Sequence, residues 1–348
     1  MEIDTNQFVY GRGATLARFD PKFTGDFADE REAQAWMAED AERLAEYQDK
    51  LMAHGTHGLL LVFQAMDGAG KDSTIKHVMS SADPQGCEVK MFKEMTEKEA
   101  PHDYLWRAVR ALPARGQIGI FNRSYYEHVV AERVHPEKLE RQQLPAETLG
   151  RDLWTRRFRQ INDFELYLVE NGIHVLKFYL NLSRGEQRRR LLERLARPEK
   201  KWKFSASDVE DRRLWDDYMR AYEEAFDQTS TEHAPWHIIP ADSRWFARAA
   251  VAAAVVAKLK SLHSRYPRLG EDKEKELEEA RAALESERDD EADDGDEKGG
   301  EKGGKKGDEK GGKKGHRAGK QRKAGGAGKS KKAAKAGKNT KSKKAGGG

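Results

Sequence analysis

Four consecutive residues, Gly68-Ala69-Gly70-Lys71, stand between an apolar run and a polar helix-forming segment, with an acid before them and hydroxyls after. Residue types in that order suit the binding of phosphate. Two glycines one residue apart let the backbone turn tightly enough for successive N–H groups to share one concavity, and the N-terminus of a following helix adds unpaired amides and the positive end of its dipole. Lys71 supplies a mobile full charge. Asp72 and Ser73 open the helix, and Ser73 and Thr74 offer hydroxyl oxygens to phosphate or Mg²⁺. In the phosphate-loop pattern G-x-x-x-x-G-K-[ST], the first glycine falls on Ala65 and the final hydroxyl on Asp72. The strand-turn-helix context therefore carries the reading, and an ordinary tight turn between a core strand and a helix is the plain alternative. Asp67 lies inside the loop, where a carboxylate repels phosphate unless a metal or proton intervenes, which suggests a Mg²⁺ ligand or a general base.

Other side chains could complete such a site. Arg123 follows the apolar run Gln117 to Phe121, and ligands of an open parallel sheet collect beyond the carboxyl ends of its strands. Its planar fork can clamp two phosphate oxygens at once. Glu127, four residues on, reads equally as a metal ligand or as the ion-pair partner of Arg123. Arg190 and Arg194 are also four apart, on one face of a helix able to close over transferring phosphates, and Lys200, Lys201 and Lys203 follow. A solvated basic face is the alternative there. Lys90, Lys93, Arg107 and Arg110 could form a basic track leading to the loop.

These residues need a scaffold, and the hydrophobic pattern supplies one. Leu59 to Phe63 is a short continuous apolar run, as a strand buried on both faces would be. Further strands are expected over Cys87–Phe92, Gln117–Phe121, His174–Leu180 and Trp236–Pro240. Helices are expected from Asp26 to His54, Lys71 onward, Glu99 to Leu112, about Ala146 to Glu170, Ser183 to Leu195, Ser207 to Gln228, and Ser243 to near Pro267. Residues 1–25 read as an extended aromatic arm over the core or a neighbouring subunit. Trp202, Trp215, Trp236 and Trp245 read as core or interface aromatics. Strands alternating with helices indicate an α/β fold, a five-stranded parallel sheet covered on both faces, of the nucleoside-phosphate-kinase type.

Charge divides the 348 residues unevenly. Residues 1–270 carry 41 basic and 42 acidic side chains, 271–297 carry 4 and 15, and 298–348 carry 19 and 3, so the net +4 is a sum of −1, −11 and +16. No aromatic follows Tyr266, and a stretch of Gly, Lys and Ala cannot bury enough apolar surface to offset its ordering entropy. The reading is a phosphotransferase domain over 26–267, an acidic segment over 268–297 and a disordered basic tail over 298–348 that binds polyanions. The single cysteine, Cys87, fits a reducing compartment. No signal pattern opens the chain, and the most apolar late run, Ala247 to Ala257, spans about half the roughly 20 residues a membrane helix needs. A soluble cytoplasmic protein without membrane contact is expected.

QAMDGAGKDSTIKHVMS, PQGCEVKMFK, IGIFNRSYYEHVVAERVHP, RPEKKWKFSASDVEDRRLWDDYMRAYEEAF and APWHIIPADSRWFARAAVA together resemble successive blocks of the polyphosphate kinase 2 family, over roughly residues 5–265. The resemblance implies a thymidylate-kinase-like three-layer P-loop core with a helical lid over about 183–205. It implies phosphoryl transfer between inorganic polyphosphate and a nucleotide, ADP or AMP, with guanine nucleotides left open. The cofactor implied is Mg²⁺, or Mn²⁺ in its place, and the assembly a dimer or tetramer. By position, the family's catalytic set falls on Asp67, Lys71, Arg123, Arg190 and Arg194; the residues themselves put phosphate binding on Gly68, Ala69, Gly70, Lys71, Asp72 and Ser73 with Arg123, and the metal on Asp67 and Glu127. Many members have Asp-Arg-Ser where this chain has Asn122-Arg123-Ser124, which shifts any metal or base role toward Asp67 and Glu127. The Asn form, with QAMD in the loop, resembles the branch acting on AMP as well as ADP.

Overall fold

The computed structural model describes residues 3–27 and 29–287. The basic segment from residue 298, with its expected disorder, lies outside them. The chain divides into two units, Met1–Glu276 and Leu277–Gly348.

The first unit is built on one sheet. Its strands are β1 (Gly58–Gln64), β2 (Cys87–Met91), β3 (Ile118–Asn122), β4 (Ile173–Asn181) and β5 (Trp236–Pro240), in the order β2-β3-β1-β4-β5. All four pairings are parallel. Each expected strand is present to within a residue or two at either end. Every residue of β1, β3 and β5 is buried, which is why these strands read as unbroken apolar runs rather than alternating ones.

The helices are α1 (Glu30–His54), α2 (Lys71–Val78), α3 (Trp106–Val109), α4 (Ala131–Val134), α5 (Pro136–Glu140), α6 (Leu153–Glu170), α7 (Arg184–Ala196), α8 (Ser207–Arg213), α9 (Trp215–Thr229), α10 (Arg244–Ser261) and α11 (Glu271–Ser286). Successive β1 side chains serve opposite faces of the sheet. Leu59, Leu61 and Phe63 join one core with α1, α2 and the alanine-rich α10. Leu60 and Val62 join the other with Phe158 and Ile161 of α6 and Tyr222 and Phe226 of α9. The result is a three-layer α/β sandwich. No helix among the described residues is long and apolar enough to cross a membrane. The described residues of α11 are all exposed.

Several helix boundaries differ from the periodicity. Of Glu99–Leu112 only α3 is helical, because Pro101 interrupts the segment near its start. The turn that Thr96 and Glu99 open, with Ala100 N–H donating to Thr96 O at 2.9 Å, meets Pro101, which has no N–H to continue it, and Asp103 accepts from Leu105 N–H at 3.0 Å to start the chain again. α6 begins only after Gly150, and the long helix expected after Ser207 breaks at Leu214 into α8 and α9. α10 stops at Ser261, and His263 just beyond it is left-handed (φ 49°), which ends a helix. Trp202 is 78 % exposed, not a core residue.

The N-terminal arm contains two short 3-10 turns, Thr5–Phe8 and Leu16–Arg18, rather than being extended throughout. It covers the outer edge of β5. Val9 bridges His237, Tyr10 N–H donates to Trp236 O at 2.8 Å, and the buried Tyr10 hydroxyl donates to Ala14 O at 2.6 Å and Asp227 at 3.0 Å. These contacts occupy the start of the β5 edge, at Trp236 and His237, and shorten the ladder it presents.

Candidate active site

Strand order puts the loop after β1 and the turn after β3 side by side, because β1 and β3 are paired with Phe63 opposite Asn122. Gly68 and Gly70 hold φ of 88° and 98°, where an L side chain would be strained. Lys71, buried at the start of α2, curls back to donate from Nζ to Ala65 O at 2.7 Å. Burial pushes its pKa down, against the pull of Asp67. Burial alone would raise the Asp67 carboxyl, yet Lys71 and Arg123 hold it below the ordinary value, so it is ionised near neutrality.

The expected phosphate-binding set is not uniform. Ala69 N–H already donates within the loop, to Met66 O at 3.2 Å, whereas the first turn of α2 has the unpaired amides of any helix N-terminus. Ser73 Oγ donates to Gly70 O at 2.8 Å. Asp72 accepts from Asn122 Nδ2 at 2.8 Å, so its carboxylate ties α2 to the end of β3. That bond also gives a physical reason for asparagine at 122, since an aspartate there would face a second carboxylate.

Arg123 stands at the junction. Its N–H donates to Phe63 O at 3.0 Å, and its guanidinium donates to Asp67 Oδ1 at 2.8 Å and to Glu127 Oε2 at 3.2 Å. Glu127 foremost, and Asp67 after it, raise its already high pKa. Among the described residues no three His, Cys, Asp or Glu cluster to hold a metal unaided. Mg²⁺ does not need such a cage, since it commonly takes one or two carboxylates and completes its shell with water and substrate phosphate. The carboxylates of Asp67 and Glu127, bracketing Arg123, fit that donor set.

The two arginines expected in a lid part company. Arg190 is not aimed over the loop but fills the space behind it, with a side chain only 3 % exposed. Its Nη1 donates to Ala69 O at 2.9 Å and reaches Gly68 O at 3.4 Å, Nη2 donates to Ala241 O at 2.6 Å and Asp242 O at 2.9 Å, and Nε donates to Glu186 at 2.8 Å. All its donors are thereby occupied on the loop, on the carbonyls just after β5 and on Glu186, rather than facing the space above the loop. By holding loop carbonyls from one side, Arg190 favours amides facing the other. Gln187 Nε2 adds a bond to Asp67 O at 2.8 Å, so the first turns of α7 are fastened to the loop. Arg194 pairs with Asp208 of α8 at 2.9 Å, and its charge reaches Asp67. Burial, then the charge of Asp67, raises the Asp208 carboxyl.

Arg123, Ser124 and Glu127 also wall a cavity of about 570 Å³. Phe92, Met95 and Pro101 give it an apolar side, and Lys93, Arg107, Lys138 and Arg141 add cations. Arg107 is buried with its guanidinium 5.0 Å from the Phe92 ring centroid, and its Nε, 3.7 Å from Glu99 Oε1, has no hydrogen-bond partner among the described residues. Arg110 instead lies 4.9 Å from the Trp106 ring. His128, Glu132 and Gln142 line the cavity as one network, in which the Glu132 carboxylate accepts from both others and from Arg157 at 2.7 Å. Burial would raise that carboxyl, but His128 and Arg157 hold it low. Sequence reasoning missed Asp208 and this network, whose members lie up to 29 residues apart. No local contrast marked them, since Asp208 lies in the charged run SDVEDRR and Glu132 sits beside Arg133.

A glycine-bent loop over the carboxyl edge of a parallel sheet, an ionised acid and a buried lysine within it, and an arginine from the adjacent strand define a P-loop kinase-type fold and site. Comparison with known proteins narrows this class. Residues 27–267 match the family described as Polyphosphate kinase 2. The ADP-polyphosphate phosphotransferase of Rhodopseudomonas palustris is 44% identical over 287 residues, 82% of this chain and 99% of that protein. The AMP/ADP-polyphosphate phosphotransferase of Meiothermus ruber is 44% identical over 253 residues, 72% of this chain and 91% of that protein. The crystal structure of polyphosphate kinase 2 from Arthrobacter aurescens superimposes with a TM-score of 0.72 at 40% identity, covering 80% of this chain and 95% of that one. The chain belongs to the polyphosphate kinase 2 family.

Proposed function

We infer that the protein transfers the terminal phosphoryl group of inorganic polyphosphate to a nucleoside mono- or diphosphate, forming ATP from ADP and ADP from AMP. The observation that carries this reading is the bonding of Arg123 to Asp67, which joins the loop after β1 to the turn that walls the cavity. The relatives named for ADP and for AMP/ADP support the choice of acceptors. A terminal phosphate sits on the α2 amides and Lys71, and the acceptor occupies the cavity with its phosphates toward Arg123.

A terminal oxygen of the acceptor attacks the end phosphorus in line. The new P–O bond forms as the bond to the rest of the chain breaks, and a polyphosphate shorter by one unit leaves with the bridging oxygen. Little covalent help is required, so the protein's part is positioning and cancelling charge on the equatorial oxygens. Lys71 and Arg123 supply the cationic side chains, and Arg190 keeps the loop in shape. Asp67, with Glu127, would hold Mg²⁺ or Mn²⁺, which supplies neutralisation of the phosphate oxygens. A dimer or tetramer, a cytoplasmic location and polyanion binding by residues 298–348 belong to the same proposal.

The test is incubation with ADP and long-chain polyphosphate in the absence of ATP. ATP formation is expected, with shorter polyphosphate as co-product. Phosphorylation that occurs only when ATP is added would instead make the protein a nucleotide kinase of the same fold.

A further inference from the structure

The middle of the sheet carries a charge that the proposed chemistry does not use. Lys177 lies in β4 opposite Val62 of β1, and it pairs with Glu165 of α6 at 2.6 Å with both side chains fully buried. Burial pushes its pKa down, against the pull of Glu165. Such a pair is a weak source of stability, since well-packed apolar residues of similar volume often serve as well or better.

Its hydrogen bonds indicate another task. Glu165 Oε1 accepts from the Tyr125 hydroxyl at 2.8 Å and the Tyr126 hydroxyl at 2.9 Å, while Lys177 Nζ donates to Tyr126 Oη at 2.9 Å and Thr229 O at 2.7 Å. These tyrosines follow directly on Arg123 and Ser124, and Tyr126 N–H donates to Ser124 Oγ at 3.2 Å. Arg123 itself has φ of 60°. A residue other than glycine stays in that region only where its surroundings over-determine it. Aromatic rings in an apolar pocket can settle in several nearby packings, whereas two hydroxyls converging on one carboxylate oxygen have one geometry.

We propose that the Glu165–Lys177 pair is a positioning device for phosphoryl transfer, holding the two tyrosine hydroxyls so that the turn presents Arg123 and Glu127 to the phosphate loop. This rests on the role given to Arg123 above. Neither Glu165 nor Lys177 touches substrate, and both act through Tyr125 and Tyr126.

The experiment compares Tyr126→Phe with the combined variant Glu165→Leu, Lys177→Met, Tyr125→Phe, Tyr126→Phe, each with and without Arg123→Ala. In the combined variant Thr229 O keeps the Thr231 N–H at 3.0 Å, so the apolar replacement strands none of the groups named here. The expected results are a melting midpoint at or near that of the wild type, kcat lower by about 30-fold or more, and a KM for ADP within about threefold. Tyr126→Phe should lose about fivefold in kcat. Arg123→Ala should cost much less in the combined background than in the wild type, because the arginine is already misplaced there. A combined variant within twofold of the wild-type kcat, or an undiminished cost of Arg123→Ala in it, overturns the proposal. If the combined variant does not fold, the same cycle on Tyr126→Phe decides, with additivity overturning it. A wild type that makes no ATP from polyphosphate defeats the reading of the site, and this inference with it. A wild type that does, beside an active variant, defeats the positioning role alone.

Discussion

Arg190→Ala separates a brace from a lid. The substitution removes donors from the carbonyls of Gly68, Ala69, Ala241 and Asp242 and from the Glu186 carboxylate. A buried polar group left without a partner costs about 1–3 kcal/mol. If two or three of these stay dry, the loss is about 3–6 kcal/mol. For a unit of this size each kcal/mol lowers the melting midpoint by roughly 2–4 °C, so a drop of roughly 6–24 °C is expected. Thermal unfolding followed by circular dichroism reads it, and turnover measured well below the midpoint should fall as well because loop carbonyls are freed to rotate. Arg190→Lys, which keeps charge but not the fork, should recover only a small part of either. A variant that melts within about 2 °C of the wild type while losing turnover would refute the brace and restore a mobile lid arginine.

Further expectations can be checked alongside. Lys71→Ala should fold and lose at least about 100-fold in kcat, since removing one donor to developing charge costs about 3–4 kcal/mol of barrier. Single-turnover kinetics would measure it, and near-normal turnover would remove Lys71 from the chemistry. Asn122→Asp sets a carboxylate against Asp72 in place of a 2.8 Å hydrogen bond. It should destabilise by about 1–3 kcal/mol at pH 7 in urea unfolding, with the loss shrinking at acid pH as a carboxyl gains a proton. Burial holds His237 at a pKa of about 4 against an ordinary 6.5. The unfolded chain therefore binds the proton first, and stability present above pH 6.5 is lost as pH falls toward 4, by roughly 3 kcal/mol at most. His174, also held near 4 chiefly by burial, adds to that slope, and His237→Gln should flatten it without abolishing it.

Much of this arrangement was written locally in the chain. The apolar run of β1, the Gly-Ala-Gly-Lys turn and the start of α2 are contiguous, so the order of residues alone specifies strand, loop and helix. Arg123 could be placed beside that loop because an apolar strand ending in a cation has few other uses in a parallel sheet. Arg190 shows where local reading stops. Spacing of four from Arg194 says that both lie on one helix face, but not that the face bends around the loop and buries one while leaving the other half-exposed. Lys177 illustrates the same limit within an apolar strand, since its partner lies 12 residues upstream on α6. The lone charge marked the spot, and tertiary packing supplied the meaning. Helix ends failed where periodicity was read across a breaker, as at Pro101 within the stretch from Glu99 to Leu112.

The central claim is that the chain end of polyphosphate lies on the amides at the start of α2, gripped by Lys71 and Arg123. A crystal structure with tripolyphosphate measures this directly. The account predicts a terminal phosphate in that loop, with Lys71 Nζ drawn away from Ala65 O and the Arg123 fork on phosphate oxygens. An empty loop with the anion bound elsewhere would contradict it.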